Sequence, residues 1–270
     1  LSDQLSRNWF GLAYRANGND LLSQINQKID CLPAAQWSQV LQNHLAFTDM
    51  PEQRGAPLVL QFDALYFYRA WDDEQRIARY IRQQAKLIAE MPFSNEQIQQ
   101  QLARYFPASD DIDWQKIAVA TAIKAPFCVI TGGPGTGKTT TVTRLLLVLQ
   151  ALYQHKLHIK LAAPTGKAAA RMTESLQNAL AFIEQQQPLS KELLAAMPKT
   201  AETIHRLLGV SPLSDDTRYH AQNPLPIDLL VVDETSMIDL PMMAKLLSAL
   251  KPNTRLILLG DQDQLSSVEA

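Results

Sequence analysis

The sequence has little that would cross-link it, anchor it in a membrane or charge it strongly. Only two cysteines occur among 270 residues, Cys31 and Cys128, with no Cys-x-x-Cys pair. That excludes a disulfide scaffold and a thiolate metal site, and leaves each as an apolar buried thiol. No apolar run approaches the roughly 18–20 residues that a membrane-crossing helix needs; the longest, such as Leu256–Leu259, have strand length. No basic-then-apolar leader pattern opens the chain, so a reducing cytoplasm is the expected location. Neither sign of charge prevails, with 25 Lys+Arg against 27 Asp+Glu and a net of −2. A broad basic surface for polyanions is therefore excluded. The five histidines (His44, His155, His158, His205 and His220) form no His-Glu-x-x-His or clustered ligand set, so no zinc or nuclease centre is visible.

What is present is an ordinary globular composition, 46% hydrophobic and 19% charged, enough for a sizeable core. Length predicts about two domains, and composition separates two halves. Fifteen of the nineteen aromatic residues, including Trp9, Trp37, Trp71 and Trp114, lie within 1–114, whereas four of the ten glycines fall within Gly132–Gly137. The turn-forming run Pro107-Ala108-Ser109-Asp110-Asp111 marks a boundary, giving domains 1–108 and 109–270.

The first half reads as mostly helical. An apolar stripe of Ile77, Tyr80, Ile81, Leu87 and Ile88 runs along 72–90, and Ser94-Asn95-Glu96-Gln97 has the form of a capping box. Leu58–Leu60 and Leu65–Tyr68 predict a short hairpin. The tryptophans read as core, with a protein interface as the alternative.

The second half alternates. Strands are predicted at 127–131, 158–163, 229–232 and 255–260, and helices at 138–154, 168–180 and 240–250. Apolar strands between helices imply an α/β fold with a mainly parallel sheet covered on both faces, and ligands at the carboxyl ends of the strands.

One motif in this half carries chemistry by itself. Gly132-Gly133-Pro134-Gly135-Thr136-Gly137-Lys138-Thr139 fits Gly-x-x-x-x-Gly-Lys-[Ser/Thr] in full, between a predicted strand and a predicted helix. The glycines let backbone N–H groups converge on phosphate oxygens, and the helix start adds positive partial charge. Lys138 is placed to reach the β- and γ-phosphates of ATP, and the Thr139 hydroxyl to ligate Mg²⁺. A second apolar strand ends in Asp233-Glu234. Asp233 suits the metal, and Glu234, ionised at neutral pH, suits the attacking water. A third strand leads into Gly260-Asp261-Gln262-Asp263-Gln264, where a neutral amide can sense the γ-phosphate. Taken alone, a strand ending in two carboxylates also reads as a solvated edge, and Gly-Asp-x-x-Gln also reads as a turn.

In combination, Gly132–Thr141, Leu161–Arg171, Thr203–Gly209, Val231–Leu240 and Leu259–Ala270 resemble the superfamily 1 DNA helicases. Within them the likeness is to the RecD family, the alpha subunits of the bacterial exodeoxyribonuclease V (RecBCD) complex. The resemblance implies a RecA-like P-loop NTPase lobe preceded by a smaller N-terminal domain for subunit interaction. It implies Gln115 as the reader of the adenine edge and Gln264 as the γ-phosphate sensor. Thr140 joins the nucleotide-binding set. Pro164, Thr165 and Lys167, then Thr203 and His205, fall in segments that contact single-stranded DNA, and Ser236 links the acidic pair to them. The bland readings stay open: Gln115 as a solvent-facing helix residue, and the others as ordinary loop residues.

The implied function is an ATP-dependent motor moving 5′→3′ on single-stranded DNA and DNA ends, with partner subunits of a RecBCD-type complex, in break repair and recombination. The alternative is an ATP-switched assembly module. After Trp114 only Phe127, Tyr153, Phe182 and Tyr219 are aromatic, so DNA contact is expected mainly through the phosphate backbone, with little sequence preference. The chain starts at Leu1, has its first methionine at Met50, and carries no second-lobe arginine motif among Arg144, Arg171, Arg206, Arg218 and Arg255. The expectation is a fragment that binds Mg-ATP, hydrolyses it slowly and does not unwind DNA.

Overall fold

The computed structural model describes residues 11–13, 44–53, 55–61, 64–87, 92–106, 111–133, 135–211 and 216–261. They fall into two compact units. One comprises the residues up to Ala78 with Asp239–Ala244, and the other runs from Arg79 to Ile238 and onward from Lys245. The turn-forming run at 107–110 lies outside the described residues, as do Trp9 and Trp37.

In the first unit the expected hairpin forms between β3 (Leu58–Gln61) and β4 (Ala64–Phe67), paired antiparallel from Leu58↔Phe67 to Gln61↔Ala64. It is the centre of a larger sheet. β1 (Gly11–Ala13) adds to β4, and β2 (Phe47–Thr48) adds in parallel to β3. Val59, Leu60 and Leu65 are buried, and so is Trp71 on helix α1 (Tyr68–Lys86). The Trp71 indole N–H donates to Gln61 Oε1 at 2.9 Å, which satisfies the one polar atom that burial would strand.

The second unit is a five-stranded, wholly parallel sheet. Its strands are β5 (Phe127–Thr131), β6 (Ile159–Ala163), β7 (Ala201–Thr203), β8 (Leu229–Val232) and β9 (Arg255–Gly260), in spatial order β5-β9-β8-β6-β7. All four residues of β8 are buried, as a strand covered on both faces requires. The fourfold strand pattern read from sequence is present; β7 is the addition, too short and polar to stand out as an apolar run. The helices are α2 (Asn95–Tyr105), α3 (Trp114–Lys124), α4 (Lys138–Leu152), α5 (Gly166–Gln186), α6 (Lys191–Ala196), α7 (Ile204–Leu208) and α8 (Leu240–Ser248). The capping box forms at Ser94, whose hydroxyl accepts from Gln97 N while Gln97 Oε1 accepts from Ser94 N.

Helix α4 is the hub. Thr141–Thr143 and Leu145–Gln150 are buried on every side of it, because the helix lies in a core shared with α2, α3, α5 and the sheet. Its one deeply buried amide is fully used. Gln150 Nε2 donates to Leu157 O at 2.9 Å and Ala196 O at 2.8 Å, and its Oε1 accepts from Leu157 N. Trp114 is 72% exposed and is not a core residue. Indole burial was expected from its size, but its place at the first turn of α3 turns it outward. Among the described residues, no helix is long and apolar enough to cross a membrane.

Candidate nucleotide-binding site

A parallel sheet puts the carboxyl ends of its strands on one side. β5 therefore delivers the glycine loop, β9 delivers Gly260-Asp261 and β8 delivers Asp233-Glu234 to a common edge. The register Thr131↔Gly260 and Val232↔Leu258 keeps the three ends level to within about two residues. The Gly132 amide donates to Gly260 O at 3.3 Å, tying the loop to the neighbouring strand end. With β9 between them, the loop and the acidic pair stand two strand spacings apart, about 10 Å.

The loop takes its shape from two glycines in the left-handed region, Gly135 (φ +74°) and Gly137 (φ +79°). Gly137 opens α4 without a side-chain cap, so the first N–H groups of the helix are presented at the cleft rather than to a capping oxygen. Lys138 folds back over the loop. Its ammonium donates to the Gly132 carbonyl and, at 3.0 Å, to Gly133 O. Thr136 Oγ1 donates to Gly133 O at 2.9 Å. Gly133 and Gly135–Thr140 line a cleft of about 500 Å³ together with Ser175, Asn178, Ala179 and Phe182 of α5. Thr139 and Thr140 are half-buried within it.

Asp233 is half-buried, and burial pushes its carboxyl above the usual range; the Glu234 amide and the Lys138 charge pull it back down. The Glu234 N–H donates to Asp233 Oδ1 at 2.8 Å, and Asp233 N donates to Ala162 O at 2.9 Å. Glu234 itself has φ +51°, unusual for a non-glycine residue and of the kind that clusters at functional sites. The following turn is pinned by Thr235 Oγ1 donating to Leu259 O at 3.0 Å. Ser236 Oγ, the expected linker residue, is buried without a hydrogen-bond partner.

Gln115 is brought to the loop from α3. Its Nε2 lies so close to Gly137 that a Cβ there would come within 2.7 Å of it, and its Oε1 accepts from Arg144 Nη1 at 3.3 Å. It does not line the cleft. Pro134 and Gln264 lie outside the described residues.

The remaining candidates gather at the far side of the same sheet edge. β6 and β7 are parallel neighbours with Ala163↔Thr203 in register, so Pro164, Thr165 and Lys167 emerge beside Thr203 and His205. Thr165 caps α5 by accepting from Ala168 N at 3.1 Å, and Thr203 caps α7 by accepting from Arg206 N at 3.2 Å. Lys167 and His205 are exposed. One residue with a clear structural task escaped the sequence reading: Arg255, whose Nη1 donates to the carbonyls of Ala122, Ile123 and Ala125 at the end of α3.

Comparison with known proteins agrees with this architecture. Residues 115–270 match the family described as AAA domain. The RecBCD enzyme subunit RecD of Haemophilus influenzae is 59% identical over 271 residues, covering 100% of this chain and 42% of that protein. The chain belongs to the AAA domain family, and it is similar to a RecD subunit over its whole length. The RecD subunit of Mycolicibacterium smegmatis is 44% identical over 223 residues, 80% of this chain and 38% of that protein. The ATP-dependent RecD2 DNA helicase of Deinococcus radiodurans is 40% identical over 142 residues, 53% of this chain and 16% of its own length. The chain thus spans less than half the length of the RecD relatives it matches. Its fold is the RecA-like P-loop NTPase lobe of this family, and the family implies nucleotide binding.

Proposed function

We propose that this chain is the ATP-binding lobe of an ATP-dependent DNA helicase subunit of the RecBCD type, acting in the cytoplasm in double-strand break repair and recombination. The observation that carries the reading is the convergence of a complete phosphate loop and the Asp233-Glu234 pair on one edge of a parallel sheet, spaced for a triphosphate between them. Residues 1–108 are assigned to subunit interaction and 109–270 to the first motor lobe. This is a functional division rather than a packing one, since α2 shares the core of α4.

The backbone N–H groups of Gly133 and Gly135–Thr140 bind the phosphates, and Lys138 exchanges its loop carbonyls for β- and γ-phosphate oxygens. Gln115 faces the adenine edge, and Gln264 senses the γ-phosphate. Among the described residues no cluster of three His, Cys, Asp or Glu side chains could hold a metal alone. Magnesium fits this arrangement, because it prefers one or two protein oxygens plus phosphates; Thr139 and Asp233 would supply them. When bound, the ion neutralises charge building on the phosphoryl oxygens. Glu234 orients the attacking water and takes its proton.

The DNA strand is assigned to Pro164, Thr165, Lys167, Thr203 and His205. The two threonine oxygens accept cap hydrogen bonds, yet each hydroxyl keeps a proton to donate to a phosphate. The first of these segments follows β6, which adjoins β8, and the second follows β7, which adjoins β6, so strand contact and the acidic pair are coupled through neighbouring strands. Movement 5′→3′ is assigned by family resemblance. The test is ATP hydrolysis by the full-length subunit reconstituted with its partner subunits, with and without single-stranded DNA. DNA-stimulated turnover that Lys138→Gln abolishes while assembly persists is the expected result. Loss of assembly with turnover untouched would replace the motor with an ATP-switched assembly module.

A further inference from the structure

Glu234 lies in the left-handed region, with φ +51° and ψ +44°, which a non-glycine residue keeps only where its neighbours hold it. On its β8 side, Asp233 N donates to Ala162 O and Glu234 N to Asp233 Oδ1. On the other side is a short 3₁₀ turn, Thr235–Met237, in which Met237 N donates to Glu234 O and Ile238 N to Thr235 O, both at 3.1 Å. Those two bonds shape the turn but do not attach it to the sheet. The attachment is Thr235 Oγ1, which donates to Leu259 O at 3.0 Å. It stands where the β8–β9 ladder has run out, since the last paired residues are Val232 and Leu258. The next carbonyl, Gly260 O, faces the opposite neighbour, as successive strand carbonyls do, and accepts from Gly132 N at 3.3 Å. Two consecutive carbonyls of β9 thus hold the acidic turn on one side and the phosphate loop on the other. Gly260 makes room for this. A Cβ there would come within 2.9 Å of Thr235 Oγ1, the one atom among the described residues that it would crowd. Gly260 does not have a positive φ, so the hydroxyl, not the backbone, requires the glycine.

We propose that Thr235 is a positioning residue for hydrolysis: its bond to Leu259 O fixes the turn that carries Glu234 and sets its span from the phosphate loop. The inference rests on the reading above that Glu234 takes the proton of the attacking water, and adds what holds that carboxylate in place. Thr235 does not line the cleft, and its one hydroxyl proton is spent on Leu259 O, so it has none to give to a phosphate or a water. Nucleotide binding needs the loop and the metal, whereas turnover needs Glu234 aligned on the water. Loss of the tether therefore falls on kcat and spares affinity.

The experiment is steady-state ATP hydrolysis, with single-stranded DNA, by the full-length subunit reconstituted with its partner subunits. The turnover that Lys138→Gln removes is this subunit's share, and the variants are compared on that share. Thr235→Val, which keeps the shape and loses the donor, is expected to lower kcat about ten- to a hundredfold. KM for ATP and the affinity for Mg-ATP stay as in the wild type, and Thr235→Ser restores the rate. In a Glu234→Gln background Thr235→Val costs nothing further, because the tether acts through Glu234. Gly260→Ala, which leaves the hydroxyl but fills its place, reproduces the loss of kcat. An unchanged kcat in Thr235→Val overturns the proposal; if that variant does not fold, an unchanged kcat in Gly260→Ala does so instead. It is equally overturned by a loss of kcat matched by an equal loss of Mg-ATP affinity, which would make Thr235 a structural residue. A Thr235→Ser defect as large as that of Thr235→Val, or a full further loss in the Glu234→Gln background, has the same effect. If Lys138→Gln removes no turnover, the hydrolysis reading itself falls, and the role of Thr235 with it.

Discussion

The carboxamide of Gln115 rests against Gly137, so closely that the space of a single Cβ at residue 137 is already taken by Gln115 Nε2, 2.7 Å away. Gly137 also sits at φ +79°, where an L-side chain is strained by roughly 1–2 kcal/mol. Helix α3, carrying Gln115, and the phosphate loop are thus fitted to each other through the absence of a side chain. Gly137→Ala is expected to lower unfolding stability by about 1–2 kcal/mol and to weaken Mg-ATP binding at least about tenfold. Chemical denaturation and calorimetry check the two effects separately. Gln115→Ala, which vacates the space but not the backbone strain, should restore part of the stability lost.

Asp233 links function to a cost in stability. Burial raises its carboxyl above the ordinary range, so the native state holds this proton to higher pH than the unfolded chain does. Stability therefore falls as pH rises through the window between the ordinary and the raised value, and the full penalty is present above it. Asp233→Asn, which keeps an oxygen for the Glu234 N–H, is expected to raise the thermal midpoint at neutral pH and to lose magnesium-dependent nucleotide binding. The stability difference should shrink in acid as Asp233 protonates. Thermal scans of both proteins across pH are the check.

The same group reports on Lys138. The lysine charge lowers the Asp233 carboxyl against the effect of burial, so Lys138→Gln should raise the Asp233 titration midpoint further. Carbon-detected magnetic resonance of the Asp233 carboxyl reads this directly; an unchanged or lowered midpoint would contradict the proximity of the two side chains.

Arg255 ties the first residue of β9 to the end of α3 by donating to three carbonyls that the helix leaves unpaired. Arg255→Met strands those acceptors, and hydrogen bonds to charged groups are worth about 1.5–3 kcal/mol. A loss of roughly 2–3 kcal/mol in urea unfolding is expected, with nucleotide affinity weakened mainly through displacement of α3 and Gln115.

The legible parts of the molecule were those where one local rule suffices. The strands 127–131, 229–232 and 255–260 are continuous apolar runs between helices, and their observed bounds match the reading. The phosphate loop needs left-handed glycines and has them at Gly135 and Gly137. What stayed hidden depends on neighbours distant in sequence. Ala201–Thr203 is a strand because β6 offers it an edge, and nothing in Ala-Glu-Thr announces that. Gln150 looks like a polar interruption of an apolar helix, and only the placement of Leu157 and Ala196 makes it a satisfied core residue. Nothing local to Arg255 announces its task, which exists only because α3 ends beside it. Phe182 was noted as one of few aromatic residues in its half, but its place on the cleft wall follows from how α5 crosses the loop.

The central claim is that the glycine loop and Lys138 hold the phosphates of a magnesium-bound nucleotide opposite Asp233. Calorimetric titration of the chain with Mg-ATP, for wild type and Lys138→Gln side by side, tests it most directly. Saturable one-to-one binding by the wild type, weakened about a hundredfold or more in the variant, is the expected result. Binding of equal strength in both proteins, or none in the wild type, would contradict it.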